Sequence, residues 1–148
     1  MKILYSIVLL GTIALSSCSK IHPEATLVGT WKLDDVVKKK FFDNDHVNTG
    51  YEAGLFSFYA DGRAAYNGGG LAMTGNWNMH YEDRGSYNSD GEYQSDNYLV
   101  LRITLGDLSA NQFLTWEFDE TDFKRSSDRM DGFMHYATYS YQYVFIRQ

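Results

Sequence analysis

The amino-acid sequence predicts an all-β fold, a single up-and-down antiparallel barrel of eight strands. The chain of 148 residues contains 12 Tyr, 9 Phe and 3 Trp but a single Pro, and aromatic residues are enriched in strands. Apolar and polar residues alternate with a period of two in several runs, and short turn signals separate these runs. Because no sustained helical period follows residue 18, hairpin-linked strands are expected throughout the domain.

Alternating apolar and polar residues define the individual strands. The clearest alternation runs over 71–81, where odd positions are apolar or Gly and even positions are mostly polar, as in a strand with one buried face. Asp61 and Gly62 form a two-residue hairpin signal between two apolar runs. The polar, aperiodic segment 82–96 is predicted to be one long loop. The predicted strands lie near residues 29–37, 51–60, 63–67, 71–81, 97–105, 112–119, 121–127 and 136–147.

The N-terminal residues have the composition of an export signal. Lys2 supplies a positive charge, and residues 3–15 form an apolar run. A membrane-spanning helix needs about 20 apolar residues, whereas the apolar part of a cleaved signal needs about 7 to 15. This segment is therefore predicted to be a signal peptide and is excluded from the fold.

Leu15-Ser16-Ser17-Cys18 resembles the lipobox of bacterial lipoproteins. The resemblance implies that Cys18, the only cysteine, is acylated with palmitate-type chains and becomes the mature N-terminus. Ser19 replaces the aspartate that would indicate inner-membrane retention, so we expect anchoring in the outer membrane, with the leaflet left open. The chain is expected to divide into a signal peptide at 1–17, an acylated tether at 18–26 and one domain at 27–148.

Composition and motifs disfavour several classes of function. The formal net charge is −6 without a basic stripe, which disfavours nucleic-acid binding. The chain has no Gly-x-Ser-x-Gly motif, no His-Glu-x-x-His motif and no phosphate-binding loop, so no catalytic residue, metal site or cofactor is predicted. Unpaired carboxylates such as Glu52 and Glu117 give the only support for an enzyme.

Three motifs in order resemble the bacterial lipocalin-like lipoproteins, a group of calycin-type barrels. Gly29-Thr30-Trp31 matches the Gly-x-Trp entry strand, 58–62 matches the Phe-x-x-x-Gly hairpin, and 75–77 repeats Gly-x-Trp. The resemblance implies that Gly29 and Trp31 close the barrel floor and that Arg147, in the last strand, lies across the Trp31 ring. The expected C-terminal helix of lipocalins is missing from the predicted elements.

An eight-stranded barrel is either filled by side chains or holds one small ligand. We expect a small apolar or aromatic-stacking ligand, since Tyr and Trp offer apolar rings with a polar group. The alternative is a protein-interaction module, an inhibitor or envelope-assembly subunit of unknown partner, with a filled interior. Lys38, Lys39 and Lys40 are interpreted as charges that prevent the strand edge from pairing with another sheet, or as residues that lie near anionic lipid head groups. The candidate ligand-binding residues are Phe56, Phe58, Trp77, Tyr81, Trp116, Tyr139, Tyr141 and Tyr143.

Overall fold

The computed structural model describes residues 22–124 and 128–148. The predicted signal peptide, Cys18 and the first part of the predicted tether lie outside the described residues. The described part of that tether, residues 22–26, lies almost entirely in a short helix, α1, Pro23–Leu27, whose last residue is buried. The strands are β1 Gly29–Lys40, β2 Asn44–His46, β3 Leu55–Phe58, β4 Arg63–Gly68, β5 Leu71–Tyr87, β6 Tyr93–Asp107, β7 Gln112–Phe118, β8 Glu120–Phe123, β9 Arg129–His135 and β10 Tyr139–Arg147.

All ten strands belong to one antiparallel sheet, which confirms the predicted all-β class. The strand order is β7-β6-β5-β4-β3-β1-β10-β9-β8, and β2 pairs with β1 beside this path. The ladder has two ends, at β7 and at β8, so the predicted closed barrel of eight strands is not confirmed.

The segment 82–96, predicted to be a loop, is mostly strand. β5 and β6 remain in register out to Tyr87 and Tyr93, so residues 82–97 contain a two-stranded extension, here called the arm. Most side chains on both faces of the arm are exposed, which removes the apolar alternation that marks a half-buried strand. The turn itself contains Asn88, whose side-chain oxygen accepts hydrogen bonds from the amides of Asp90 and Glu92.

Two more differences arise from irregular strands. The prediction lacked β9 as a separate strand, because Asp131 in its middle is charged in sequence although it is buried in the structure beside Arg129. In β1, the register shifts between Leu33 and Asp35, so the next buried residue after Leu33 is Val36 and not Asp35. Such a β-bulge exchanges the two faces of a strand and hides it from a strict period of two.

Aromatic side chains fill the centre of the curled sheet. Trp116 of β7 has its ring centroid 5.5 Å from that of Phe56 in β3 and 5.1 Å from that of Tyr143 in β10. Phe118 packs 5.0 Å from Tyr143 and 6.0 Å from Phe145. Since β7 ends the ladder and β10 lies near its other end, these contacts show that the sheet folds over its own apolar face.

Candidate functional site

The two ends of the ladder leave an opening in the wall of the fold. β6 pairs with β7 only over residues 101–107, and the neighbouring stretch 93–100 pairs with β5 alone. β8 pairs with β9, and one residue, Asp119, separates it from the end of β7. Between β6 and β8 lies a cavity of about 520 Å³, here called the lateral cleft. It is lined by Pro23, Thr26, Tyr81, Asn97, Tyr98, Leu99, Glu120, Thr121, Asp122, Phe123 and Lys124.

Aromatic and apolar groups form the inner wall of the lateral cleft. Tyr81 pairs in register with Leu99 and is 63% exposed, an unusual value for a tyrosine that continues the buried face of β5. Phe123 of β8 packs against Trp31, with ring centroids 6.2 Å apart. The cleft therefore presents a ring and an aliphatic side chain to solvent directly above the core.

The Thr121 hydroxyl is the unusual polar group in this wall. Thr121 is only 6% exposed, and its oxygen has no hydrogen-bond partner among the described residues. Leaving a buried hydroxyl unpaired costs about 1 to 3 kcal/mol, so such groups in native structures call for a physical explanation. Because this oxygen has almost no accessible surface, a ligand in the lateral cleft would reach it only if the wall of the cleft moved.

Ion pairs fix the outer edge of the cleft. The Lys124 ammonium lies 2.5 Å from a carboxylate oxygen of Asp122 and 3.4 Å from one of Asp131. The hydrogen bond to Asp122, with the nearby negative charges, raises the pKa of Lys124. Arg129 adds a 2.8 Å contact to Asp131. These charged side chains at the edge of the cleft are thus paired with one another. The aromatic rings of the cleft therefore remain as its main surface for contact with a ligand.

Two smaller hollows share residues with the lateral cleft. One, of about 150 Å³, shares Pro23, Tyr81 and Leu99 with it and is bordered by His80. The other, of about 360 Å³, shares Tyr98 and Glu120 and contains Arg84, whose guanidinium lies 5.1 Å from the centroid of the Tyr98 ring. A ligand longer than the cleft would thus find further surface on either side.

Most of the predicted ligand-binding residues are core residues. Phe56, Phe58, Trp77, Trp116 and Tyr143 are buried, and burial raises the pKa of Tyr143 to about 12. Tyr81 alone among the predicted set lines the lateral cleft. Tyr139 and Tyr141 lie at the other end of the fold, where the Lys38 ammonium is 4.2 Å and 5.6 Å from their respective ring centroids.

A loop residue covers the interior at the end where β1 finishes. The Tyr51 ring makes edge-on contacts with Tyr66 at 5.3 Å and with Trp116 at 5.4 Å. Glu52 shapes this loop by accepting hydrogen bonds from the backbone amides of Thr49, at 2.7 Å, and Gly50, at 2.9 Å. Partial burial raises the pKa of Glu52, but these hydrogen bonds outweigh burial and leave the pKa below its usual value. Glu52 thus has a structural role in the loop.

Gly29, Trp31 and Arg147 meet at the opposite end. Trp31 and Arg147 face each other in the β1–β10 ladder, with the guanidinium carbon 4.3 Å from the centroid of the indole ring. Arg147 also donates to the backbone oxygens of Val28, at 3.0 Å, and of Thr26. Gly29 has φ +138, and a Cβ there would lie 2.5 Å from the Arg147 guanidinium. Only glycine fits beside this arginine.

Sequence reasoning missed most residues of the lateral cleft. The predicted strand 121–127 contains Thr121 and Phe123, but its buried face was not identified, because the strand break at Asp119 interrupts the alternation of apolar and polar residues. Tyr98 was assigned to the strand that follows the predicted loop. Within residues 22–124 and 128–148, no group of His, Cys, Asp and Glu side chains is arranged to hold a metal ion. The same residues contain no helix of the length and apolarity needed to cross a membrane.

Comparison with known proteins leaves the chain without a match. No protein-family model, no curated protein and no solved structure is significantly similar to it.

Proposed function

We propose that the chain is a lipid-anchored, lipocalin-like protein of the cell envelope that binds a small apolar or aromatic-stacking ligand in the lateral cleft. The observation that carries the proposal is a cavity of about 520 Å³ whose wall exposes the ring of Tyr81 beside Leu99 and Phe123. Binding sites commonly combine apolar walls with a few polar groups that orient the ligand.

The proposal includes closure of the sheet into a barrel of eight strands. Only Asp119 separates β7, which pairs with β6, from β8, which pairs with β9. Its amide donates to the Phe133 oxygen at 2.9 Å, and its carboxylate accepts from the His135 amide at 2.8 Å. If β7 and β8 are one interrupted strand and β2 is a side branch, eight strands form the ring. The lateral cleft then lies in the wall of that ring, between β6 and the β8 half of the interrupted strand.

The anchor part of the proposal rests on Cys18 and the residues before it. Cys18→Ser is expected to abolish acylation and to move the processed protein from the membrane fraction to the soluble fraction. Retention of a processed Cys18→Ser protein in the membrane fraction would contradict the anchor without bearing on ligand binding.

Binding is tested with 1-aminoanthracene, a small fluorescent aromatic amine, as the probe. Tyr81→Ala should weaken probe binding, because one aromatic contact contributes about 0.5 to 1.5 kcal/mol, or roughly two- to tenfold in affinity. Thr121→Val should stabilise the fold by up to about 1 kcal/mol, since an unpaired buried hydroxyl is replaced by a methyl group. It should leave probe binding unchanged, because that hydroxyl has almost no accessible surface.

The matched control is Tyr87→Ala, which removes an equally large ring that is 74% exposed on the arm, away from the lateral cleft. Its probe affinity should equal that of the unaltered protein. Equal affinities for all the variants, or no binding of the probe, would contradict the proposed site. If the probe binds as expected, native mass spectrometry of the protein from its own host identifies the natural ligand by its mass.

The second candidate function is a protein-interaction module with a filled interior. The ring contacts of Trp116 with Tyr51, Phe56 and Tyr143 favour it, because they occupy the space where a lipocalin holds its ligand. If Tyr81→Ala leaves probe binding unchanged, this second function becomes the better interpretation.

A further inference from the structure

Two adjacent phenylalanines project from the turn between β1 and β2. Phe41 and Phe42 are 89% and 94% exposed, with their rings packed edge-on at 4.5 Å. The turn is closed by a hydrogen bond from the Lys40 amide to the Asp43 oxygen, at 2.8 Å, which leaves the two phenylalanines as its central residues. Both rings are therefore held outward, away from the apolar core.

Turn chemistry does not account for these residues. Two-residue hairpin turns favour Gly, Asn and Asp, which are polar or small and tolerate positive φ. Among the described residues, Asn111 is the only non-glycine with positive φ, so Phe41 and Phe42 do not supply that conformation. Exposing two phenylalanine side chains is unfavourable in water, and an apolar pair at such a position indicates a contact outside the folded chain.

Tyrosines and lysines surround the phenylalanine pair. Lys40 pairs in register with Tyr139 across the β1–β10 ladder, and Tyr136 stacks on Tyr139 with centroids 4.8 Å apart. Lys38 lies over Tyr139, and Lys39 lies 5.7 Å from the centroid of the Phe133 ring. The surface formed by residues 38–42, Tyr136 and Tyr139 is here called the aromatic tip. Below it is a hollow of about 430 Å³ that touches Lys38, Lys40 and Thr138.

We propose that the aromatic tip inserts Phe41 and Phe42 into an anionic lipid bilayer. Tyrosine is enriched at membrane interfaces, where the ring lies in the apolar region and the hydroxyl in water. Lysines extend their charged ends toward lipid phosphates while their stems pack on apolar surface. Residues 38–45 contain three lysines and two aspartates, so this hairpin has a formal charge of about +1 although the whole chain carries a formal net charge of −6.

The shape of the aromatic tip favours a bilayer over a protein partner. The phenylalanines form a convex point, and a protein partner would need a matching pocket, whereas a bilayer accepts a convex apolar point directly. Lys40 already pairs with Asp45, which leaves Lys38 and Lys39 as the lysines of this run that form no ion pair with a carboxylate of the described residues. These two lysines carry the expected electrostatic contribution.

The aromatic tip and the predicted lipid anchor are separate features. β1 contains 12 residues and begins beside Arg147 and α1, at the end where the N-terminal segment enters the fold. At about 3.3 Å per residue, the strand extends roughly 36 Å, and the aromatic tip lies at its far end. Insertion of the tip therefore does not depend on acylation of Cys18, and each is tested by its own measurement.

The test places a fluorescent reporter at the tip of the full chain. Trp31, Trp77 and Trp116 are buried, so they are shielded from lipid. Phe42→Trp is mixed with vesicles of phosphatidylcholine and phosphatidylglycerol, with and without brominated acyl chains that quench nearby indoles. We expect a blue shift of the added emission and its loss on brominated vesicles. Adding Lys38→Gln and Lys39→Gln should reduce that quenching on anionic vesicles.

The matched control is Tyr87→Trp, an exposed aromatic position at the far end of β5. Its emission should stay that of an indole in water, even if the N-terminal segment holds the chain at the vesicle surface. Equal quenching at the two positions, or no quenching at the tip, would overturn the proposal. A photo-crosslinker at Phe42 that captures one protein and no lipid would also overturn it and assign the aromatic tip to a protein partner.

Discussion

At the residue scale, Arg147 connects the last strand to the junction of α1 and β1, which is distant from it in sequence. Its guanidinium covers the Trp31 ring and donates to the backbone oxygens of Thr26 and Val28, at the junction of α1 and β1. Trp31 in turn donates from its indole nitrogen to the Leu27 oxygen at 2.7 Å. Together these bonds attach the short helix to the first and last strands, since a five-residue helix has little stability of its own.

This arrangement predicts coupled losses of stability. Arg147→Ala should lower the free energy of unfolding by about 2 kcal/mol, the sum of a cation–π contact and partly exposed hydrogen bonds. Trp31→Ala should cost about 3 to 5 kcal/mol because it leaves a cavity. The double variant should lose less than the sum of the two, as measured by urea unfolding. Arg102→Ala, which removes an exposed pair with Glu117, is the control and should cost less than about 1 kcal/mol. Additive losses would contradict direct contact in solution.

Tyr143 predicts how stability changes at alkaline pH. Burial against Trp116 and Phe118 raises its folded pKa from 10.0 to about 12. A raised folded pKa favours the neutral phenol in the native state, so its contribution is complete below pH 10 and is lost as the pH rises toward 12. Tyr143→Phe should therefore flatten the decline in unfolding free energy between those values, as measured by urea titrations at several pH values. A decline of unchanged steepness would show that Tyr143 is accessible to solvent when folded.

At the element scale, burial decided which strands could be read from the sequence. β5 was predicted over 71–81 because the core requires an apolar residue at every second position there. The hairpin at Asp61-Gly62 was also predicted, but its loop has three residues, 60–62, because the Tyr59 amide donates to the Arg63 oxygen and Gly62 has φ +84. The arm was missed because most of its side chains are exposed on both faces, so its sequence has no apolar alternation. The lateral cleft could not be predicted, since it depends on where β7 and β8 change partners, which no local pattern encodes.

The arm should therefore contribute little to global stability. Replacing residues 85–95 with Asn-Gly keeps Arg84 opposite Asp96 and provides a favoured two-residue turn. We expect a change in unfolding free energy within about 0.5 kcal/mol, as for other exposed positions, and rapid hydrogen exchange of the arm amides in the intact chain. Leu101→Ala, in the buried part of β6, is the control and should cost about 2 to 5 kcal/mol. A large loss on shortening the arm would indicate that it packs against the domain.

At the scale of the whole molecule, the interior, the lateral cleft and the aromatic tip are three separate regions. In a simple ligand-binding barrel, the interior would itself be the binding site. The interior is occupied by aromatic side chains, the lateral cleft lies in the wall beside α1, and the aromatic tip lies at the end of β1. Tyr51 belongs to none of these surfaces, but it covers the interior at the end near Trp116. Its removal therefore tests which space binds the ligand.

Tyr51→Ala distinguishes the lateral cleft from the interior. The variant should lose about 2 to 4 kcal/mol of stability, because a half-buried ring that touches Tyr66 and Trp116 is replaced by a void. Binding of 1-aminoanthracene in the lateral cleft should keep the affinity of the unaltered protein, since Tyr51 does not line that cavity. A new second binding event would show that the opened interior accepts ligand only when Tyr51 is absent. If instead the single binding event strengthens and Tyr81→Ala no longer weakens it, the ligand occupies the interior, and Tyr51 acts as its cover.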